Sequence, residues 1–295
     1  MPKSWDEYGL KDWLRLRPIV VRYKHARFLV RYFILTRKPA LAGDTESIVR
    51  AARDSRVLTT VAFNAPAKVF LQIRAVKKFV PNNLHIIADN SSDDKLAEQI
   101  HKVAREEGVF YVRMPRCPWS GKEGGLSHGL GMTWIWRNVI KKAKPQAFGF
   151  IDHDIYPTAA SDPFARLTEY PVAGRVWIRP PRWHLWAGFC FFRFDAVANL
   201  KLNFIRDFFA DLDTGGGNWH PLYRKLDHQK VPDPGVRFEP ILPGVSVEEC
   251  RVEWLGAWLH EDNDWRALYG KQERDFMTEK FVVVSDRLTK ILGKV

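Results

Sequence analysis

Between residues 56 and 157 the hydrophobic pattern switches repeatedly between a strand period and a helix period, which restricts the fold more than anything else in the chain. Residues 56–63 are β-branched and apolar and read as a buried strand, which turns at Asn64, Ala65 and Pro66. Val69, Ile73, Val76 and Val80 then recur at helical spacing, with Lys68, Arg74, Lys77 and Lys78 outside. Asn82 and Asn83 break that helix before a second strand, 84–88. Leu96, Ile100, Val103 and Ala104 mark another helix ending at Gly108, and 109–114 is a third strand. Strands alternating with helices in this order predict an α/β fold: a parallel sheet with right-handed crossovers and flanking helices.

A loop, 115–125, leads into a helix over about 126–142, with Leu126, Leu130, Thr133 and Trp134 on one face and Gly129 and Gly131 permitting close approach. That helix delivers the chain to Phe148, Gly149, Phe150 and Ile151, the end of a buried strand, and then to Asp152, His153 and Asp154. On an extended backbone residues i and i+2 point the same way, so both carboxylates are expected to reach one point at a strand's carboxyl end. Open α/β sheets place their ligands there. A hard cation such as Mg²⁺ or Mn²⁺ prefers oxygen ligands, commonly one or two carboxylates plus substrate phosphates. The plain alternative is a solvated turn.

Beyond Pro157 the pattern loosens. Residues 175–179 and 185–193 read as antiparallel strands, 211–219 as a glycine-rich loop, and 220–250 as mostly irregular. Residues 254–260 read as one short apolar strand before an acidic loop, and 265–295 as helix and tail. The expected organisation is a basic arm (1–50), a nucleotide-binding half (51–160) and an acceptor-binding half (161–295), the last two forming one continuous domain.

The chain has 295 residues, enough for a full core, and its 46 Lys+Arg against 34 Asp+Glu give a net charge of +12 that calls for an anionic partner. Cys117, Cys190 and Cys250 are too few and scattered for a disulfide framework or zinc site, so a reducing cytosol is the simplest home. No apolar run is long enough to cross a bilayer and no signal-peptide pattern opens the chain. Pro18 and Pro39 frame a helix from about 18 to 38. On it Lys24, Arg27, Arg31 and Lys38 form one stripe and Leu29, Tyr32 and Phe33 another, while Arg15, Arg17, Arg22 and Arg37 add charge against Asp12 alone. Such a helix suits peripheral contact with an anionic membrane, here the inner face, as well as it suits simple packing on the domain.

Asp89 falls at the carboxyl end of the second strand, where it can accept a hydrogen bond from a nucleobase N–H, and Asn64 can serve the same base. Both types also cap helices, and Asp93 or Asp94 is the expected cap of the following one. Ser127 and His128 follow Gly124 and Gly125 near a helix amino end, which favours anions; Ser127 suits a donor sugar or phosphate, or serves as an N-cap. Trp183, Trp186 and Trp219 offer faces for sugar stacking, Trp186 most of all because Gly188 lies beside it.

A strand ending in Asn64, a second ending in Asp89-Asn90-Ser91-Ser92-Asp93-Asp94, and a later Asp152-His153-Asp154 resemble the nucleotide-sugar-binding half of GT-A-fold glycosyltransferases, especially family-2-like enzymes. The resemblance covers residues 56–160 well and the rest loosely. It implies that Asn64 and Asp89 hold the base of a UDP- or GDP-type donor, and that Asp152 and Asp154 hold Mn²⁺ or Mg²⁺ on its diphosphate. It further implies that Asp213 is the loop acid that activates the acceptor, with Asp211 and Asp195 as rivals and without the family's usual Glu-Asp pair. His260 resembles the late histidine that completes the metal or diphosphate site. The acceptor would be a polysaccharide, lipid-linked glycan or protein. A nucleotidyltransferase would need a glycine- and Arg/Lys-rich loop where Asn64, Ala65 and Pro66 stand. A nucleic-acid-binding protein would leave Asp152 and Asp154 as two anions in a phosphate-binding cleft, so no nucleic-acid partner is expected. A glycosyltransferase scaffold without catalysis is the remaining alternative.

Overall fold

The computed structural model describes residues 8–118, 124–248, 250–261 and 273–293. Three helices come first: α1 (Leu10–Leu14), α2 (Arg17–Leu35) and α3 (Thr45–Ala52). The alternating part follows as β1 (Arg56–Ala62), α4 (Pro66–Phe79), β2 (Leu84–Asp89), α5 (Asp94–Glu106), β3 (Phe110–Arg113) and α6 (Gly124–Ile135). A π-helical turn, Trp136–Ile140, joins α6 to α7 (Lys141–Ala143). Next come β4 (Ala147–Asp152), β5 (Ile155–Pro157), β6 (Val172–Arg179), β7 (Arg182–Arg193) and α8 (Phe194–Val197). The chain ends with β8 (Val236–Pro240), β9 (Arg251–Leu255), β10 (Trp258–His260) and α9 (Glu273–Leu292).

The fold is a mixed α/β sheet with flanking helices: the alternation predicts its parallel part, and the strands read as antiparallel beyond Pro157 supply the rest. Six strands lie in the order β3-β2-β1-β4-β7-β6. The first four are mutually parallel, and β7 runs antiparallel to β4 and to β6. Side chains of β1 alternate between faces. Val57 and Val61 pack with Ile48 of α3 and Met132, Ile135 and Trp136 of the α6 segment. Leu58 packs with Val76 and Val80 on the other face, where Ala62 meets Val69 and Ile73 of α4 and Ile100 of α5. Phenylalanines fill the centre: Phe148 stacks on Phe192 at 5.1 Å and Phe150 meets Phe204 edge-on at 5.1 Å. Truncating a buried phenylalanine of this kind to alanine costs about 3–5 kcal/mol.

Local chemistry places several boundaries. Asp93 caps α5, its carboxylate accepting from the N–H groups of Lys95 and Leu96. Gly129 lets α6 approach the loop strand at Phe204, whose carbonyl oxygen would lie 2.7 Å from a Cβ there. The N-terminal helix starts at Arg17 and stops at Leu35, short of the predicted 38, because Thr36 turns its hydroxyl onto the carbonyl of Phe33.

A second sheet, β5-β10-β9-β8, stands beside the first. Residues 254–260 are not one strand: Gly256, at φ +59°, reverses the chain so that β9 and β10 pair as a hairpin. The expected irregular region also holds a strand, β8, a largely exposed edge. The final helix α9 packs Val284 and Leu288 against Leu71 and Ala75 of α4, and Lys78 donates to its last carbonyls, of Ile291 and Leu292.

Candidate active site

The chain runs outward from β1 through β2 to β3, then returns to the other side of β1 as β4. The strand order therefore reverses between β1 and β4, and ligands of open α/β sheets bind outside the carboxyl ends at such a point. Asp152 is the last residue of β4, opposite Val61 of β1. Its side chain is 22% exposed, and Oδ1 lies 3.2 Å from Nδ1 of His128 on α6. On its other side stands Gly188 of β7, where an added Cβ would come within 2.5 Å of both Asp152 Oδ2 and the Trp186 ring. The glycine is the space that the carboxylate and the indole occupy together. Gly188→Ala should therefore destabilise the fold by about 1–3 kcal/mol, read as a lower urea midpoint. An unchanged midpoint would mean that the indole swings aside freely.

The two carboxylates do not share one extended strand. The backbone leaves β4 at Asp152, turns at His153 and Asp154, and enters β5 at Ile155. Alternation thus fails at the one place where it predicts the pair's common direction. The turn is fastened from below: the amide of Gln72, buried on α4, donates to the carbonyls of Asp152 (2.6 Å) and Ile155 (2.7 Å). Its own oxygen accepts from Thr60 at 2.6 Å.

Asp154 faces inward instead, with its Oδ1 3.8 Å from Nε2 of His260 on β10. Burial alone would raise its pKa, but interactions with His260, His153 and Lys68 bring the carboxyl down to about 2, so Asp154 is ionised at neutral pH. The other imidazole nitrogen of His260, Nδ1, lies 2.7 Å from the buried Glu253 of β9. Arg175 of β6 closes on Glu253 with two contacts, 2.6 and 2.9 Å, and its guanidinium sits 5.2 Å from the ring centres of both Trp177 and Trp186. A carboxylate on one imidazole nitrogen fixes the ring's orientation, the arrangement found behind ligating and proton-transferring histidines. Next to it Glu261 is pushed up by burial, against the pull of Lys68 at 2.8 Å.

Asp213 stands beside the first turn of α6, where a Cβ on Gly125 would lie 3.5 Å from its Oδ1. Its side chain is half exposed, accepts from the Thr214 N–H at 2.8 Å and stands 3.7 Å from Arg206. The Thr214 hydroxyl donates to the carbonyl of Gly125, so this loop is tied to the first turn of α6, one turn before His128. Neither rival shares that position: Asp195 pairs with Arg193, and Asp211 sits in a turn at φ +53°.

The remaining predicted residues are placed differently. Ser127 lies inside α6 rather than at its N-cap and is buried; Asn90 donates to its hydroxyl at 2.7 Å and to its carbonyl at 2.8 Å. Asp89 is fully buried, and its two oxygens accept from the Ser91 N–H (2.8 Å) and the Tyr111 hydroxyl (2.7 Å). Asn64, at φ +49°, joins the exits of β1 and β2, its oxygen accepting from the N–H groups of Ser92 and Asp93. Both are therefore engaged in the turn, the role that competes with base binding. Trp186 is half-buried between Trp177, stacked at 6.1 Å, and His260, at 4.9 Å. The loop segments 119–123 and 262–265 lie outside the described residues.

Sequence reasoning passed over Gln72, Arg175 and Glu253. A glutamine on the apolar face of α4, beside Val69, Ile73 and Val76, and a glutamate between Val252 and Trp254 were the signals for two of them. Arg175 carried none, since its partner lies 78 residues away.

Among the described residues no three His, Cys, Asp or Glu side chains stand ready as a metal cage. A cation shared between one or two carboxylates and a substrate's phosphates needs none. The donor set suits that case: Asp152 keeps a partly exposed carboxylate, Asp154 is ionised, and Nε2 of His128 is buried with no hydrogen-bond partner among the described residues.

No protein family matches the chain, and no curated protein is similar to it. Solved structures similar to parts of it include S. aureus TarS, at 12% identity and a TM-score of 0.34, over 51% of this chain and 30% of that one. They also include the mannosyltransferase PcManGT from Pyrobaculum calidifontis in complex with GDP-Man and Mn²⁺, at 14% identity and a TM-score of 0.39, over 68% of this chain and 61% of that one. The chain spans less than two thirds of the length of either.

Proposed function

We propose that the protein is a glycosyltransferase that moves a sugar from a nucleoside diphosphate to an acceptor hydroxyl, in the cleft outside the carboxyl ends of β1, β2 and β4. The observation that carries this reading is the partly exposed Asp152 at the reversal point of the sheet, held between His128 and Gly188. The donor's base lies against the joined exits of β1 and β2, whose shape the hydrogen bonds of Asn64 and the buried Asp89 fix. Its diphosphate reaches toward the amino end of α6, where N–H groups and the dipole favour anions. Asp152 would hold Mn²⁺ or Mg²⁺ together with the donor's own phosphates, with Asp154 and His260 paired behind it, and the bound ion would offset the negative charge that gathers on the diphosphate as the bond to the sugar breaks. Asp213 takes the proton of the acceptor hydroxyl. The half-buried indole of Trp186, seated beside Asp152 in the space that Gly188 leaves, gives a sugar ring of the acceptor a surface to pack on.

Thermal unfolding against UDP, GDP, CDP and ADP, each with and without Mn²⁺, tests the reading in parent and Asp152→Ala protein. Ligand at about 100 times its dissociation constant adds roughly 2.7 kcal/mol to the folded state. One nucleotide should raise the melting temperature in a metal-dependent way, and the rise should vanish in Asp152→Ala. No rise with any nucleotide well above millimolar concentration would sink the proposal.

A further inference from the structure

The N-terminal arm carries an apolar surface that the fold leaves in solvent. Leu10 and Leu14 of α1 are 77% and 76% exposed, and Tyr23, Val30 and Ile34 of α2 are 62%, 60% and 55% exposed. With 3.6 residues per turn, Ile19, Tyr23, Val30, Phe33 and Ile34 fall on one continuous stripe of α2. This stripe differs from the sequence expectation, because Leu29 and Tyr32 turn inward. Tyr32 is buried, its hydroxyl donating to the Gly129 carbonyl and bonding to Thr133, while Phe28 and Leu29 pack with Leu130 and Ile205. Along the stripe's edge, Lys24, Arg27, Arg31 and Phe28 line a cavity of about 290 Å³. None of the three cations meets a carboxylate among the described residues, and the arm's Asp12 is taken by Arg17. No helix among the described residues is long and apolar enough to cross a membrane.

A helix anchored along one face, apolar on the opposite face and basic at the edge matches a bilayer surface: acyl chains accept the stripe and anionic headgroups accept the edge. A nucleic-acid backbone would satisfy the cations and leave the aliphatic stripe in water. A second copy packed stripe to stripe would cover the aliphatic face and leave the cations and their cavity without an anionic partner. We infer that the arm formed by α1 and α2 docks on an anionic phospholipid bilayer, with the stripe set at the headgroup–acyl boundary and a lipid phosphate in the Lys24–Arg27–Arg31 cavity. The inference is independent of the sugar-transfer reading.

Flotation of the full-length protein with vesicles tests it. Vesicles of phosphatidylcholine mixed with phosphatidylglycerol should bind at least about tenfold more tightly than phosphatidylcholine alone, since each cation near an anionic surface strengthens binding about fivefold. The triple variant Lys24→Ala, Arg27→Ala, Arg31→Ala should erase that preference. Tyr23→Asp with Val30→Asp should abolish binding with the cations intact, and the exposure of both sites keeps the melting temperature unchanged. Three results overturn the inference: no binding to either vesicle, duplex-DNA binding as tight as vesicle binding and insensitive to Tyr23→Asp with Val30→Asp, or a dimer by light scattering that this double variant dissolves.

Discussion

Asp152→Asn should lower sugar transfer by about a thousandfold while leaving the melting temperature within about 3 °C of the parent. Asparagine keeps the shape that fits against Gly188 and the Trp186 ring, and it removes only the charge. The lost pairing with His128 joins two partly exposed groups, and such pairs contribute about 0–1 kcal/mol. A large catalytic effect with a small structural one separates a group that acts on substrate from one that holds the fold. Asp154→Asn makes the contrast, because it empties a buried charge from the His260–Glu253–Arg175 chain and should lower the melting temperature as well. Transfer by Asp152→Asn within tenfold of the parent would remove Asp152 from the reaction.

The second large effect is on acid stability. His184 on β7 is fully buried, its two ring nitrogens have no hydrogen-bond partner among the described residues, and burial brings its pKa down to about 4. His85 on β2 shares one nitrogen with the Thr60 hydroxyl at 2.9 Å, and burial brings it down to about 3. Both enter the fold neutral. Above the unfolded value near 6.5 their neutral state makes no demand. As pH falls below it the unfolded chain takes up protons that the folded chain refuses, so stability is lost toward pH 4 and then pH 3. At about 1.4 kcal/mol per pH unit, the full loss is on the order of 3 kcal/mol from His184 and on the order of 5 kcal/mol from His85. The urea midpoint of the parent should fall more steeply between pH 7 and pH 4 than that of a variant carrying His184→Leu and His85→Gln. Carboxylates titrate in both proteins, so the comparison isolates the imidazoles. Parallel curves would show that the buried rings are protonated in the folded state.

The sequence disclosed what depends on neighbours along the chain. Helical recurrence from Val69 to Val80 and the β-branched run at 56–63 gave α4 and β1 because burial on one face imposes those periods locally. The sheet's parallel order and the position of Asp152 at a strand's carboxyl end followed from the same alternation. What stayed hidden depends on contacts between distant segments. Continuing the strand through Asp154 missed the turn, since the cause is Gln72, eighty residues earlier, holding two carbonyls. Asn64 and Asp89 carry the residue types of a base site and of a turn alike, and only their partners, Ser92, Asp93, Ser91 and Tyr111, show the turn. The outward stripe of α2 was illegible for a related reason: composition reveals two apolar sides, and tertiary packing decides which one Tyr32 takes inside.

Asp152 closes one sheet, and only His153 and Asp154 separate it from β5, the first strand of the other. The turn therefore works like the pivot of a calliper whose jaws are the two carboxylates. One jaw is set by β4 in the six-stranded sheet, the other by His260 at the end of β10 in the four-stranded one. Any rotation of the small sheet against the large one would change the gap between the jaws, so packing changes far out on β8 would reach the proposed site as a change in calibration.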